Sequence, residues 1–226
     1  MQKGFVWCVF LIVTLYSLGA WAGSEHFSAR VRWVVDGDTI ILDSGQTVRL
    51  VGLDAPELSR EDQPGQYYAQ QARDRAFRLM EQPQVVVHPQ GVDRFDRVLA
   101  RVYLADGTWV GKVLVAEGAA FVYPASEKNP TPDTRLLSAQ RRAMEREAGF
   151  WKTLLSLPQA GEIYIGNQRS KKFHFRECPF GQSMHADNRR RFTTLEQAFY
   201  AGYAPGRCCT PWPSRVDVQK MKENKQ

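Results

Sequence analysis

The chain has 226 residues, of which 43% are hydrophobic and 24% are charged, with 30 Lys and Arg against 24 Asp and Glu. These values are ordinary for globular proteins, and they exclude a collagen, a long coiled coil and a chain that is disordered throughout. The net charge of +6 is compatible with a nucleic-acid partner, with an anionic membrane surface or with solubility alone.

The first 22 residues are predicted to form a secretory signal peptide. Lys3 precedes an uncharged apolar run over residues 5–19, and Ala20-Trp21-Ala22 fits the small-x-small cleavage pattern. The alternative is an uncleaved membrane anchor, because residues 5–22 are just long enough to cross a bilayer. Cleavage after Ala22 is favoured, so we expect a secreted or periplasmic protein with no stable membrane insertion once the signal is removed.

The basic excess lies entirely in the last third of the chain. Residues 23–151 contain 16 Lys and Arg against 18 Asp and Glu, whereas residues 152–226 contain 13 against 6. This step in composition, together with the Pro- and Gly-containing stretch 153–161, predicts a boundary. We therefore expect a body over residues 23–152, a linker over 153–161 and a small basic module over 162–226.

The body begins with β-branched runs separated by Asp-Gly and Ser-Gly turns, which predict strands at 31–35, 39–42 and 47–51. The remaining elements are predicted from periodicity and stop signals: a helix at 64–81, strands at 85–87 and 98–104, a short helix at 110–117, a last strand at 119–123 and a charged amphipathic helix at 133–148. These short strands with inserted helices favour a small closed barrel over a parallel sheet.

Acidic residues in the body lie on turns beside strand ends. Asp38 and Asp54 occupy separate turns, where their oxygens could hold a hard divalent cation such as calcium. Glu57 follows Asp54 across a stiffening proline and could take a proton from water. Arg49 lies in mid-strand and Arg97 in a later turn, and two guanidinium forks could clamp a phosphodiester because they match phosphate oxygens.

Each of these motifs also has a purely structural explanation. Asp-Gly pairs are mostly hairpin turns, and Asp-x-Pro-Glu can begin a helix with its acids as cap and dipole partners. An Asp-Arg-Phe-Asp-Arg run is typical of a solvated surface. The functional interpretation depends on the order of the set, which is acid turn, strand arginine, acid-Pro-acid turn, helix, strand and arginine-rich turn.

That ordered set resembles the staphylococcal nuclease (thermonuclease) family over roughly residues 30–151. The matching motifs are Asp36-Gly37-Asp38-Thr39, Arg49-Leu50, Asp54-Ala55-Pro56-Glu57, Asp93-Arg94-Phe95-Asp96-Arg97 and Phe121-Val122-Tyr123. The resemblance implies an α+β, mainly β fold built on a five-stranded OB-fold barrel with three helices. It also implies calcium-dependent hydrolysis of DNA and RNA to products bearing 3′-phosphates.

The resemblance further implies a role for each matching residue. Calcium would be bound by Asp38, Asp54 and the backbone carbonyl of Ala55. In-line attack on phosphorus would use a water deprotonated at Glu57, with the phosphate held and neutralised by Arg49 and Arg97. Substrate contacts are expected from Arg94, Phe121 and Tyr123. The chain departs from the family pattern at three places, where Ala55 replaces Thr, Phe95-Asp96 replaces Tyr-Gly, and Phe121 lacks a hydroxyl.

The C-terminal segment 162–226 resembles a degenerate Ada-type metal-binding module. In that module two ligands precede a helix and a Pro-Cys-x-x-Cys pair follows it. His174 and Cys178 keep the first spacing and Cys209 fits the last position, whereas Gly206 stands in place of the third ligand.

Four states of these cysteines are therefore considered. Cys208 or His185 could complete four zinc ligands, because zinc accepts Cys and His in tetrahedral sites. The alternative is a disulfide from Cys178 to Cys208 or Cys209, which an oxidising compartment favours; free thiols and a vicinal disulfide are further options.

Two rival functions belong to other classes. One is a non-catalytic nucleic-acid-binding OB-fold module, and the other is an envelope-binding protein whose basic tail docks on anionic lipid or polymer. The completeness of the acid–arginine set favours the enzyme. In the tail, Lys171-Lys172 and Arg189-Arg190-Arg191 could grip a phosphate backbone or form a solvated surface. Removing the tail is expected to weaken binding of nucleic acid while sparing the chemical step.

Overall fold

The computed structural model describes residues 26–61, 63–124 and 130–213. The predicted signal peptide lies outside these ranges. Among the described residues, no helix has both the length and the apolar composition that crossing a bilayer requires.

The first part of the chain is a curled sheet of six strands with helices packed around it. Its elements in chain order are β1 (Phe27–Ala29), β2 (Val31–Val34), β3 (Thr39–Leu42), β4 (Thr47–Leu50), β5 (Leu53–Asp54), α1 (Ala69–Met80), β6 (Val85–Val92), β7 (Val98–Tyr103), α2 (Val110–Ala116), β8 (Phe121–Val122) and α3 (Thr134–Glu145). The strand order is β1-β6-β7-β4-β3-β2, and β5 pairs separately with β8. The α+β, OB-type fold predicted from the sequence is confirmed.

Alternation of side chains explains the barrel. In β4 and β7, Val48, Leu50, Val98 and Ala100 are buried while the residues between them are half-exposed, as expected for strands with one face on a core. β4 runs antiparallel to β3 and parallel to β7. The predicted strands correspond to β2, β3, β4, β6, β7 and β8, and the short β1 adds a sixth strand to the curled sheet at the edge of β6.

The second part of the chain forms a smaller four-stranded sheet. Its elements are α4 (Trp151–Leu155), a 3₁₀ turn (Pro158–Gly161), β9 (Tyr164–Asn167), β10 (Lys172–Phe175), α5 (Pro179–Gln182), a 3₁₀ turn (Ala186–Asn188), β11 (Arg189–Phe192), α6 (Leu195–Tyr200) and β12 (Ala204–Pro205). The order is β11-β9-β10-β12, and β12 runs parallel to β10.

The segment 153–161, expected to be a linker, is instead helical and packed. Leu154, Leu157 and Ala160 are buried in a second hydrophobic core. Leu154 and Leu157 before Pro158, and Ala160 before Gly161, anchor this stretch in the core, so its Pro and Gly do not mark a flexible connection.

This second core joins the two parts of the chain. Phe150 and Trp151 contribute to it from the end of the body, and Phe173, Phe199 and Trp212 contribute from the C-terminal segment. A buried amide adds a polar link, because Gln140 on α3 accepts from the Val122 N–H at 2.7 Å and donates to the Phe199 carbonyl at 2.7 Å. The C-terminal module is therefore part of one packed structure with the barrel.

Candidate active site

Arg49 lies between the two carboxylates that sequence analysis singled out. It stands in mid-β4, with its Nη1 2.7 Å from Asp38 Oδ2 and its Nη2 paired with Asp54 Oδ1. Its side chain is 14% exposed. A single arginine thus brings together two acids from separate turns.

The turn that carries Asp38 is built from its own polar groups. The Asp38 N–H donates to Asp36 Oδ1 at 3.0 Å, and the Thr39 hydroxyl donates to Asp38 Oδ1 at 2.9 Å. From the second turn, the Ala55 N–H donates to Asp38 Oδ2 at 2.8 Å. Ala55 therefore lies beside Asp38, and the contact that the structure shows is made by its N–H, which orients the Asp38 carboxylate. Sequence reasoning missed the supporting role of Asp36, for which the acid on each side of Gly37 was the available signal.

Gly37 allows the two acidic turns to meet. A Cβ at this position would lie 2.6 Å from the Ala55 Cβ and 3.0 Å from the Ala72 Cβ. Such contacts are too short for carbon atoms, so a side chain at position 37 would push the turns apart.

We expect Gly37→Ala to lower the activity of this site by about tenfold or more, because a displacement near 1 Å at reacting groups is costly. Thermal unfolding should also shift downward through overpacking. Gly161→Ala is the matched control, since a Cβ there meets no atom within 4 Å. Equal activity of the two variants, compared by initial rates on one substrate, would contradict this role for Gly37.

The pocket formed by Asp36, Asp38, Arg49 and Asp54 contains more acidic than basic groups. Burial raises the pKa of Asp38 well above its usual range, and Arg49 opposes this only in part. Burial likewise raises the pKa of Asp54 to about 6 against the opposing effect of Arg49. With Asp36 also buried, three carboxyl groups surround one guanidinium. Hard oxygen donors with a deficit of positive charge fit a calcium ion, and Asp54, 28% exposed, offers access from solvent.

Glu57 lies at the solvent side of this pocket. Its side chain is 50% exposed and pairs with Arg60 at 2.9 Å, and its charge acts on both Asp54 and Arg49. Because the carboxylate is hydrated and close to the acid–arginine pair, it is placed to receive a proton from water.

Arg97 occupies the turn between β6 and β7. Its Nε donates to Asp93 Oδ2 at 2.9 Å. Arg49 and Leu99 are partners across β4 and β7, so Arg97 directly precedes the strand that neighbours Arg49. Asp93, rather than Asp38 or Asp54, is the ionic partner of Arg97.

An exposed aromatic ring accompanies this turn. Phe95 is 62% exposed, with the guanidinium carbons of Arg94 and Arg97 at 4.7 and 5.6 Å from its ring centroid. Asp96 has φ of +58°, a conformation that Asp tolerates better than most residues. The turn therefore places two cations beside one exposed ring, which suits contact with a phosphate and a base.

Phe121 does not face a substrate. It is 3% exposed and packs against Phe199 and Trp212, with ring centroids at 5.6 and 5.1 Å. This corrects the expectation that Phe121 contacts nucleic acid, because the C-terminal segment covers it. An aromatic residue type alone does not distinguish a core position from a contact position.

Tyr123 remains partly accessible. Its ring lies 5.2 Å from Lys172 Nζ and lines a cleft of about 480 Å³ together with Trp109, Arg101 and Arg135. Both arginines lie over the Trp109 ring, at 5.1 and 4.8 Å. Tyr123 is thus placed beside an aromatic and basic cleft that sequence reasoning did not identify.

The C-terminal segment carries a separate cluster of four metal-ligating side chains, His174, Cys178, Cys208 and Cys209, whose ligand atoms lie within 4.8 Å of one another. His174 Nδ1 is 3.6, 3.5 and 3.6 Å from the three sulfurs in that order. Cys208 Sγ is 3.5 Å from Cys178 Sγ and 3.6 Å from Cys209 Sγ. Tetrahedral zinc would place S···S near 3.8 Å and S···N near 3.6 Å, so the donor set fits zinc.

The geometry also bears on the alternatives for this cluster. The three cysteines of the described ranges are not bonded to one another, an arrangement that favours a metal site over the alternative disulfide. His185 is exposed, pairs with Asp187 at 3.5 Å and lies outside the cluster. A Cβ at Gly206 would lie 2.4 Å from the His174 ring. Position 206 therefore has no room for a ligand, and Cys208 supplies the fourth donor.

Comparison with known proteins gives a consistent result. A family model described as staphylococcal nuclease homologue matches residues 47–153. An "uncharacterized endonuclease" of Escherichia coli is 32% identical over 151 residues, covering 66% of this chain and 91% of the relative. The thermonuclease of Staphylococcus hyicus is 32% identical over 127 residues, covering 52% and 72%. A "probable endonuclease LCL3" of Phaeosphaeria nodorum is 28% identical over 137 residues, covering 57% and 45%.

Proposed function

Because the chain belongs to the staphylococcal nuclease family and is a nuclease, we propose that it hydrolyses phosphodiester bonds of DNA and RNA with calcium and leaves 3′-phosphate ends. The observation that carries the proposal is the position of Arg49 between Asp38 and Asp54, with Glu57 at the solvent side. We further propose a secreted or periplasmic location, where calcium concentrations suit weak oxygen-ligand sites.

The oxygen donors of the pocket would hold calcium. These are the carboxylates of Asp38 and Asp54 and the backbone carbonyl of Ala55. When bound, calcium supplies positive charge that stabilises the phosphoryl oxygens as negative charge develops on them. Arg49 is paired with the same two carboxylates. If these carboxylates were neutralised by calcium instead, the Arg49 guanidinium would be free to bind a phosphate.

Glu57 takes a proton from the attacking water in the proposed step. The water oxygen forms a bond to phosphorus, the bond from phosphorus to the 5′ oxygen breaks, and the leaving oxygen takes up a proton from solvent. Arg49 and Arg97 donate to the phosphoryl oxygens, which stabilises the charge of the transition state. The side chains hold the reacting groups in line, so no covalent enzyme intermediate is required.

The test uses purified mature protein with end-labelled DNA and RNA, in calcium and in chelator. We expect cleavage only with calcium. The 3′ ends of the products should accept label only after a phosphatase has removed their phosphate. Intact substrate at every calcium concentration would contradict the proposal. Retained binding in that case would support a non-catalytic nucleic-acid-binding module.

We also propose that His174, Cys178, Cys208 and Cys209 hold one zinc ion. Support comes from the tetrahedral spacing of the four donor atoms. Such a site would stabilise the small sheet, because structural zinc contributes directly to folding.

Cys208→Ser is expected to abolish stoichiometric zinc binding and to lower Tm by about 5 °C or more. His185→Ala is the control, since this exposed side chain lies outside the cluster. Elemental analysis and thermal unfolding provide the two readouts. An unchanged zinc content in Cys208→Ser, or its loss in His185→Ala, would overturn the assignment of ligands.

A further inference from the structure

The loop that carries Glu57 is closed by hydrogen bonds at its base. The Glu57 N–H donates to Gln66 Oε1 at 2.9 Å, and the Gln66 N–H donates to the Glu57 carbonyl at 2.9 Å. Arg60 and Gln63 pair through both backbone groups at 3.0 and 3.1 Å. These bonds therefore couple the position of the Glu57 backbone to that of Gln66.

Tyr67, the residue after Gln66, is held by the last described residues of the chain, a segment that we call the C-terminal strap (residues 208–213). The Tyr67 N–H donates to the Pro213 carbonyl at 3.0 Å, and Trp212 Nε1 donates to the Tyr67 carbonyl at 3.0 Å. Both backbone polar groups of Tyr67 are thus used by the strap. Thr153 adds a bond from its hydroxyl to the Tyr67 phenol at 3.0 Å.

The strap is fixed at both ends. Trp212 is 8% exposed and packs its ring against Phe121 and Phe150, with centroids at 5.1 and 4.8 Å. At the other end, Cys208 and Cys209 belong to the Cys/His cluster. The Cys209 N–H donates to the Gly206 carbonyl at 2.8 Å, which closes a turn directly after β12 of the small sheet.

We propose that the C-terminal strap positions Glu57, with Trp212 as a positioning residue, and that the Cys/His cluster acts on cleavage through it. The proposal rests on the proposed role of Glu57 as the base. The Glu57 side chain is half-exposed and its ion pair is with a surface arginine, so its location depends on the loop backbone rather than on packing. A general base must lie within hydrogen-bond reach of the attacking water, and small displacements reduce the rate steeply.

Trp212→Phe tests the strap, because it keeps a large ring in the core and removes the N–H that binds Tyr67. We expect kcat to fall about tenfold while KM changes less than about twofold. Hydrogen exchange should become faster in the segment 57–68. Trp33→Phe is the matched control, since Trp33 is 55% exposed on β2 and should change neither quantity.

A second comparison separates positioning from general destabilisation. In a Glu57→Gln background, Trp212→Phe should cause no further loss of kcat, because the base that it positions is absent. An equal loss in both backgrounds, or an unchanged kcat in the single variant, would overturn the proposal. Cys208→Ser should accelerate exchange in segment 57–68 as Trp212→Phe does, and unchanged exchange would contradict the coupling to the cluster.

These readouts distinguish failure of the strap from failure of the proposed function. If the wild-type protein does not cleave nucleic acid, the proposed function fails, and hydrogen exchange still tests the strap. Unchanged exchange in segment 57–68 of Trp212→Phe would then overturn the strap as well. Faster exchange there would show that the strap holds the loop independently of the chemistry assigned to Glu57.

Discussion

Glu57→Gln is expected to lower kcat for phosphodiester cleavage by about 10³-fold, because removal of a general base typically costs 10²–10⁴-fold. Stability should change little, since the ion pair between Glu57 and Arg60 is at the surface and such pairs contribute at most about 1 kcal/mol. Single-turnover rates at saturating calcium and thermal unfolding measure the two effects separately.

The control for this variant is Glu61→Gln, an exposed acid on the same loop. It removes the same charge at a position for which no chemical role is proposed. Cleavage by Glu57→Gln at the rate of Glu61→Gln would show that another group accepts the proton from water.

Arg49→Gln is expected to lower the cleavage rate and the stability and to raise the affinity for calcium. Cleavage should fall by about 10²–10³-fold, because a donor to the phosphoryl oxygens is lost. Without calcium, the free energy of unfolding should fall by about 3 kcal/mol, since Asp38 and Asp54 lose their buried counter-ion. Calcium affinity should rise by about tenfold or more, because a competing cation has been removed from the same carboxylates.

Three measurements test this combination. They are cleavage rates, thermal unfolding without calcium and calorimetric titration with calcium. Arg32→Gln is the control, because Arg32 is an exposed residue on β2. Arg49→Lys should fold more stably than Arg49→Gln since it keeps the charge, yet it should still lose most activity because lysine cannot donate bidentately. Weaker calcium binding in Arg49→Gln would show that Arg49 supports the cation site rather than competing for it.

Much of the barrel could be predicted because its strands have one buried face. The alternation in β4 and β7 and the turn residues between β2, β3 and β4 are local signals that the sequence displays directly. The convergence of Asp38, Arg49 and Asp54 also followed from an ordered motif. The pairing of Thr39 with Arg49 across β3 and β4 then brings the Asp38 turn beside the arginine.

The role of the C-terminal segment could not be predicted from composition. The charge step near residue 152 is a surface property, whereas the contacts that join the two parts are made by buried aromatic residues such as Phe121, Phe150 and Phe199. Removing residues 162–226 would expose that core and release Tyr67, so the expectation that such a deletion spares the chemical step is not supported. Point substitutions in Lys171-Lys172 and Arg189-Arg190-Arg191 are the appropriate way to test whether this segment attracts nucleic acid.

The fourth member of the Cys/His cluster could not be identified from sequence spacing alone. Spacing identified His174, Cys178 and Cys209 as candidates, but the choice between Cys208 and His185 depended on where the chain returns after β12. The lack of space beside His174 at Gly206 is a tertiary feature that no local pattern displays.

The pairing of Tyr67 with the C-terminal strap has a consequence for how the protein is made. Tyr67 and Trp212 are 145 positions apart in the sequence, and a ribosome delivers the chain from its N-terminus. The loop that carries Glu57 is therefore synthesised long before the segment that binds it. A nascent chain that ends before Trp212 leaves both backbone groups of Tyr67 without these partners, so the contact is completed only after residue 213 has emerged.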